Sequence, residues 1–155
     1  MVTSGAFARH CDEAVPHLAR ATWAPAEYEY DHVELPSAPS SPGHARRWAG
    51  EALDGSRLSP AEHADVTPLI SELVTNAVRH ARPAGVDTVV VRLAASPDRI
   101  RIEVSDHGAG FSPTGIARPT HDARGGRGLF VVDAIASRWG TVRADRHCVW
   151  LERDR

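Results

Sequence analysis

Lysine is missing from this sequence: all 18 basic side chains are arginine. The simplest origin is the codon bias of a GC-rich genome, and the chemical consequence is that lysine nucleophiles and the phosphate-gripping lysine of a P-loop are excluded. Cysteine is scarce. Cys11 and Cys148 are far apart and lack CxxC spacing, which argues against a disulfide framework or a cysteine-rich zinc site and predicts two thiols in a reducing compartment. Long apolar runs are also lacking. The opening "MVTSGAFARH" has no apolar core behind positive charge, and "GLFVVDAIA" is short and carries Asp133, so a cytoplasmic protein without a membrane span is expected. A net charge of -2 gives no overall attraction to nucleic acid or anionic lipid. The sequence has no G-x-S-x-G, no HExxH, no H-x-E with P-C-x-x-C, no internal repeat and no low-complexity tract. The adjacent pairs His10/Cys11 and His147/Cys148 make poor metal chelates, since neighbours on a strand point to opposite faces.

What is present fits one soluble domain. With 155 residues, 42% hydrophobic and 25% charged, the chain should bury roughly two thirds of its unfolded surface. Residues 1–31 mix alanine, proline and aromatics (Trp23, Tyr28, Tyr30) without a period and are expected to be an extension ahead of a domain at 32–155. The pattern predicts a strand at 32–35, a helix at about 43–54, and the longest helix at about 60–82. Ser59 is placed as the N-cap of that helix, with Pro60 and Glu62 in its first turn. Its apolar positions Val66, Leu69, Ile70, Leu73, Val74, Ala77, Val78 and Ala81 make one wide buried face. Residues 87–95 and 99–105 should pair as a hairpin through "SPDR". Ile100, Ile102 and Val104 would face the core, with Arg101, Glu103 and Ser105 on an uncovered side. The stretch "SPTGIARPTHDA" reads as a lid, "LFVVDAIASRW" as a helix, and "GTVRAD" with "HCVWLER" as a closing hairpin. The expected architecture is a two-layer α/β sandwich, with a mixed, mostly antiparallel sheet under helices on one face.

Three local features have chemistry to offer. Glu72 and Asn76 stack one turn apart on the flank of the long helix, where an amide oxygen can ligand Mg²⁺ and a carboxylate can orient or deprotonate a hydroxyl. Asp106 ends a strand just before Gly108 and Gly110. It can accept from an exocyclic amine such as that of adenine while the glycines let a planar ring approach the backbone. Gly125, Gly126 and Gly128 precede a helix, where exposed N–H groups and the helix dipole can cradle phosphate. Taken singly, each is as well explained by a solvated helix face, an Asx turn or a loop hinge.

In order, however, "ELVTNAVRHA", "DHGAGF" and "GGRGLFVVDAI" resemble the N, G1 and G2 boxes of the Bergerat-fold (GHKL) ATPases, within them the anti-sigma-factor serine/threonine kinases of actinobacterial type. The resemblance covers about residues 32–152. It implies ATP and Mg²⁺ as cofactors, with Asn76 the Mg²⁺ ligand and Glu72 the catalytic base. It further implies that Asp106 accepts from the adenine amine, that Gly108 and Gly110 line the base pocket, and that Gly125, Gly126, Gly128 and Leu129 lie at the phosphate-binding helix start. Arg124 and Arg127 would supplement that phosphate site, whereas His80 and His107 are taken as spectators. The implied activity is phosphorylation of an anti-sigma-factor antagonist together with sequestration of a sigma factor, commonly as a homodimer. The last strand departs from the family pattern, because His147 and Cys148 stand where relatives carry a lysine and a threonine hydroxyl. Two rival readings are a non-catalytic ATP-sensing switch and a histidine-kinase catalytic subunit, the latter suggested superficially by "HCDEAVP".

Overall fold

The computed structural model describes residues 30–54, 58–80, 87–109, 127–143 and 146–155, and the side chains of Arg127 and Gly128 lie outside that description. Five strands and three helices are formed: β1 (Asp31–Pro36), α1 (Ser41–Asp54), α2 (Pro60–His80), β2 (Thr88–Ala95), β3 (Arg99–Asp106), α3 (Arg127–Ile135), β4 (Arg138–Arg143) and β5 (His147–Asp154). The sheet order is β1-β2-β3-β5-β4, and all four pairings are antiparallel. The sandwich expected from the sequence is therefore present, with an open antiparallel sheet among the described strands in place of a mixed one.

Helix α2 begins as its sequence dictates. Ser59 accepts from the Glu62 N–H at 3.3 Å, while Glu62 accepts from the Ser59 N–H at 2.6 Å, a reciprocal capping box with Pro60 at the first helical position. Pro68 sits inside the helix, where it can offer no N–H to the preceding turn. Around it, Thr67 donates to the His63 carbonyl and Ser71 to the Thr67 carbonyl. The buried face of α2 is Val66, Leu69, Ile70, Leu73, Val74 and Ala77. Val78 is only partly buried, and Ala81 lies outside the described residues. The buried face of α2 packs on Val89, Val91, Leu93, Ile100, Ile102, Val104, Val149 and Leu151 of the sheet, with Ala45, Ala49 and Leu53 of α1 and Val132 of α3 completing the core.

Two expectations change. The last helix stops at Ile135, and Arg138 and Trp139, read as helical, open β4 instead. There Trp139 pairs in register with Leu151 and joins the core, so sheet pairing overrides a weak helical pattern. The face of β3 expected to be uncovered is also buried: Arg101, Glu103 and Ser105 are 8%, 2% and 3% exposed. Charge pairing across the strands makes this tolerable. Arg92 donates to Glu103 at 2.8 Å, Arg101 to Glu103 at 2.8 Å and Glu152 at 2.9 Å, and Arg138 to Glu152 at 2.9 Å. The rings of Tyr30 and Trp150 lie over the Arg92 and Arg101 guanidiniums. Burial works against the Arg101 charge, but the carboxylates of Glu103 and Glu152 outweigh it and hold the guanidinium more firmly protonated than an ordinary arginine.

Candidate functional site

Four positions on one flank of α2 (Leu73, Asn76, Ala77 and His80) follow the three-four spacing that brings helical residues to a common line. They form one wall of a cavity whose other walls are Val104 and Asp106 of β3, Leu129 of α3, and His147 and Val149 of β5. Aliphatic side chains supply most of that lining, and four residues able to hydrogen-bond, Asn76, His80, Asp106 and His147, are set among them.

Asp106 is 4% exposed at the end of β3. Its Oδ1 accepts from the Gly108 N–H at 2.6 Å, closing an Asx turn that fixes the carboxylate, and its Oδ2 lies 3.8 Å from His147 Nδ1. Gly108 is required by space. A Cβ there would fall 2.4 Å from the His80 carbonyl oxygen and 2.6 Å from Asp106 Oδ1, so the turn can approach the end of α2 only without a side chain. Arg143 donates to the carbonyls of Gly108 and Ala109 and holds the segment after β3 in place.

The candidates from the sequence divide into three groups. Asn76, Asp106 and Leu129 come together around the cavity. Glu72, one turn ahead of Asn76, is half-buried on α2 but is not part of the lining, and Gly108 buttresses the wall through backbone contacts. Gly110, Arg124, Gly125 and Gly126 lie outside the described residues. Arg127 and Gly128 are described only as the first residues of α3. Helix α3 does begin directly after the glycine segment, and Leu129 in its first turn borders the cavity, which puts the helix's positive end beside it.

Of the two histidines taken as spectators, His107 is turned to Asp87, with Nδ1 2.7 Å from Oδ1, whereas His80 lines the cavity and its carbonyl receives the Gly108 turn. Two further contributors were not read from sequence. The pairing of β3 with β5 sets His147 directly opposite Asp106, and Cys148 falls on the other face opposite Ser105. No sequence signal identifies Arg143, because its role depends on where β4 ends relative to β3. Pairing His147 with Asp106 would have required knowing that β5 inserts between β3 and β4.

The lining offers aliphatic walls and a fixed carboxylate able to accept from an amine, with a helix N-terminus able to meet an anion beside them. For a metal, the described residues offer no group of three or more histidine, cysteine or acidic side chains. Asn76 alone fits Mg²⁺ only as an ion that takes its remaining ligands from phosphate and water, which is the habit of that ion. Among the described residues no helix is long and apolar enough to cross a membrane.

Comparison with known proteins agrees with this fold. No curated protein gives a match. Among solved structures, the chain is similar to the crystal structure of the RsbU and RsbW domains of Rv1364c from Mycobacterium tuberculosis, with a TM-score of 0.58 and 22% identity over 82% of this chain and 33% of that one. The chain thus spans about a third of the length of the structure it resembles, and the likeness is one of fold. The family model of the histidine kinase-like ATPase domain matches residues 35–153, from the end of β1 to the end of β5. The chain belongs to the histidine kinase-like ATPase domain family.

Proposed function

We propose that the protein binds ATP in the α2–β3–α3–β5 cavity and transfers the γ-phosphoryl group to a serine or threonine of a partner protein, an anti-sigma-factor antagonist, while sequestering a sigma factor. The observation that carries the nucleotide half is Asp106, buried, locked by Gly108 and turned to a cavity that also holds Asn76 and the start of α3. The partner half is supported by the sequence resemblance and by the RsbW domain named in the similar structure.

Each residue has a task that follows from its place. Asp106 accepts from the exocyclic amine of adenine, and the walls formed by Leu73, Ala77, Val104, Leu129 and Val149 exclude water from the ring. Backbone N–H groups at the start of α3 face the phosphates, with Gly125, Gly126, Gly128, Arg124 and Arg127 assigned to that end. Asn76 would hold Mg²⁺, which when bound supplies charge neutralisation across the phosphate oxygens. Glu72 stands one turn away on the half-exposed flank of α2, where a hydroxyl presented by a partner can reach it. It takes the hydroxyl proton as the oxygen bonds to the γ-phosphorus, and ADP leaves with the electron pair of the broken P–O bond. Such transfer is mainly positioning and charge stabilisation, so a preset geometry is what the fold must provide.

The test is incubation with radiolabelled ATP and candidate antagonists. Label should appear on an antagonist serine or threonine, and Glu72→Gln should abolish it while ATP binding is retained. Unchanged labelling in the variant removes Glu72 from its role. ATP binding without transfer to any genuine partner supports the second reading, a nucleotide-sensing switch, which the cysteine in place of a hydroxyl at Cys148 in the last strand favours.

A further inference from the structure

The cavity holds one pair of groups that the assigned roles do not use together. Asp106 and His147 are direct neighbours across the β3–β5 pairing, each is 4% exposed, and both line the cavity. The Asp106 carboxylate is held on one side only by its own turn, since Oδ1 takes the Gly108 N–H. Oδ2, the oxygen left to meet a ligand, faces His147 Nδ1 at 3.8 Å. That separation is too long for a hydrogen bond, so the ring stands beside Oδ2 without occupying it.

The surroundings keep the imidazole where it is. Val149, two residues on and on the same face of β5, flanks it along the strand, and Leu129 and Ala77 line the same cavity from the helices above. Arg143 is its register partner on β4, but that guanidinium is engaged with the carbonyls of Gly108 and Ala109. His147 lines the cavity with its Nδ1 toward Asp106.

We propose that His147 is a positioning residue for base selectivity: its Nδ1 edge fixes the direction of Asp106 Oδ2 and so determines how strongly the cavity prefers a base carrying an exocyclic amine. The proposal rests on the nucleotide-binding reading above. It gives the last strand a defined part in recognition, performed by an imidazole and not by a hydroxyl. Cys148 takes no part, since it lies on the opposite face of the sheet.

Titration calorimetry of the full chain with ATP and with inosine triphosphate, which lacks the amine, tests it. The wild type should prefer ATP by about tenfold or more, the scale of one hydrogen bond to a charged acceptor. His147→Ala should bring the two affinities to within about threefold of one another by weakening ATP, with inosine triphosphate little changed. His147→Asn should restore the preference, because its amide nitrogen can stand where Nδ1 stood, and His147→Gln should not, because its amide reaches the Nε2 position. A merely structural histidine predicts equal losses for both nucleotides, or an unchanged ratio in all variants, and either result overturns the proposal. If His147→Ala does not fold, the asparagine and glutamine variants decide it, and identical ratios in those two also overturn it. A wild type that binds neither nucleotide counts against the proposed function itself, whereas a selective wild type with indifferent variants counts only against His147.

Discussion

At the residue scale, recognition depends on one carboxylate whose two oxygens do different work. Oδ1 of Asp106 organises the turn through Gly108, and Oδ2 is turned toward the cavity beside His147. Asp106→Asn separates these duties, since the amide oxygen can still accept from Gly108 while the amide nitrogen opposes an adenine amine with a second donor. We expect adenine nucleotides to bind about ten- to a hundredfold more weakly, while a nucleotide lacking the amine loses little. Parallel titrations of the two ligands check this, and an equal loss for both would indicate general unfolding. Gly108 was legible in the sequence as a glycine in a motif. The reason for it, a carbonyl of α2 where a Cβ would lie, is visible only in three dimensions.

At the element scale, α2 is the part that sequence specifies most fully and the part on which the site depends. Its cap and apolar face are local patterns, and they bring Leu73, Asn76, Ala77 and His80 to the cavity. The cap is reinforced from the far end of the chain, since Arg155 donates to Glu62 at 2.7 Å. The hydrogen bond from Arg155, together with those from Ser59, holds the Glu62 carboxyl down at about 2, below its ordinary 4.5. A carboxyl lowered in the folded state binds its proton more weakly there than in the unfolded chain. Its contribution to stability is therefore complete above about 4.5 and disappears as pH falls through about 2. Glu62→Gln should unfold at lower denaturant than the wild type near neutral pH, with the gap closing as pH drops through that window. Denaturant titrations at a series of pH values measure it. The end of α3 is the opposite case. "ASRW" has a helical pattern, but pairing with β5 takes Arg138 and Trp139 into the sheet.

At the scale of the whole molecule, the cavity has walls from α2, β3, α3 and β5, so no unfolded segment can reproduce it. A ligand that fits there binds the folded chain alone and stabilises it by mass action. Saturating ADP with Mg²⁺, at about a hundred times its dissociation constant, should raise the melting temperature by about 5–10 °C. Guanosine nucleotides at the same concentration should raise it much less. A thermal scan with each ligand decides the matter, and an unmoved midpoint with adenine nucleotides at millimolar concentration contradicts nucleotide binding. The other face of the sheet carries a ladder from Arg92 through Glu103, Arg101 and Glu152 to Arg138, which ties β2, β3, β5 and β4 together away from the cavity. Burial of those charges was not readable from the alternation in β3, which marks only which side chains share a face.

By itself the sequence determined what depends on near neighbours in the chain: the capping box at Ser59 and Glu62, the apolar stripe of α2, the β2–β3 hairpin, and the three motif segments containing Asn76, Asp106 and Gly128. These features follow from periodicity, turn chemistry and helix capping, all of which act over a few residues. Tertiary structure alone decided which distant residues meet. The insertion of β5 between β3 and β4 set His147 opposite Asp106 and turned Cys148 away, and the meeting of β3 with the end of α2 made Gly108 necessary. Strand order and register are fixed by the summed packing of the core, and no local pattern contains that information.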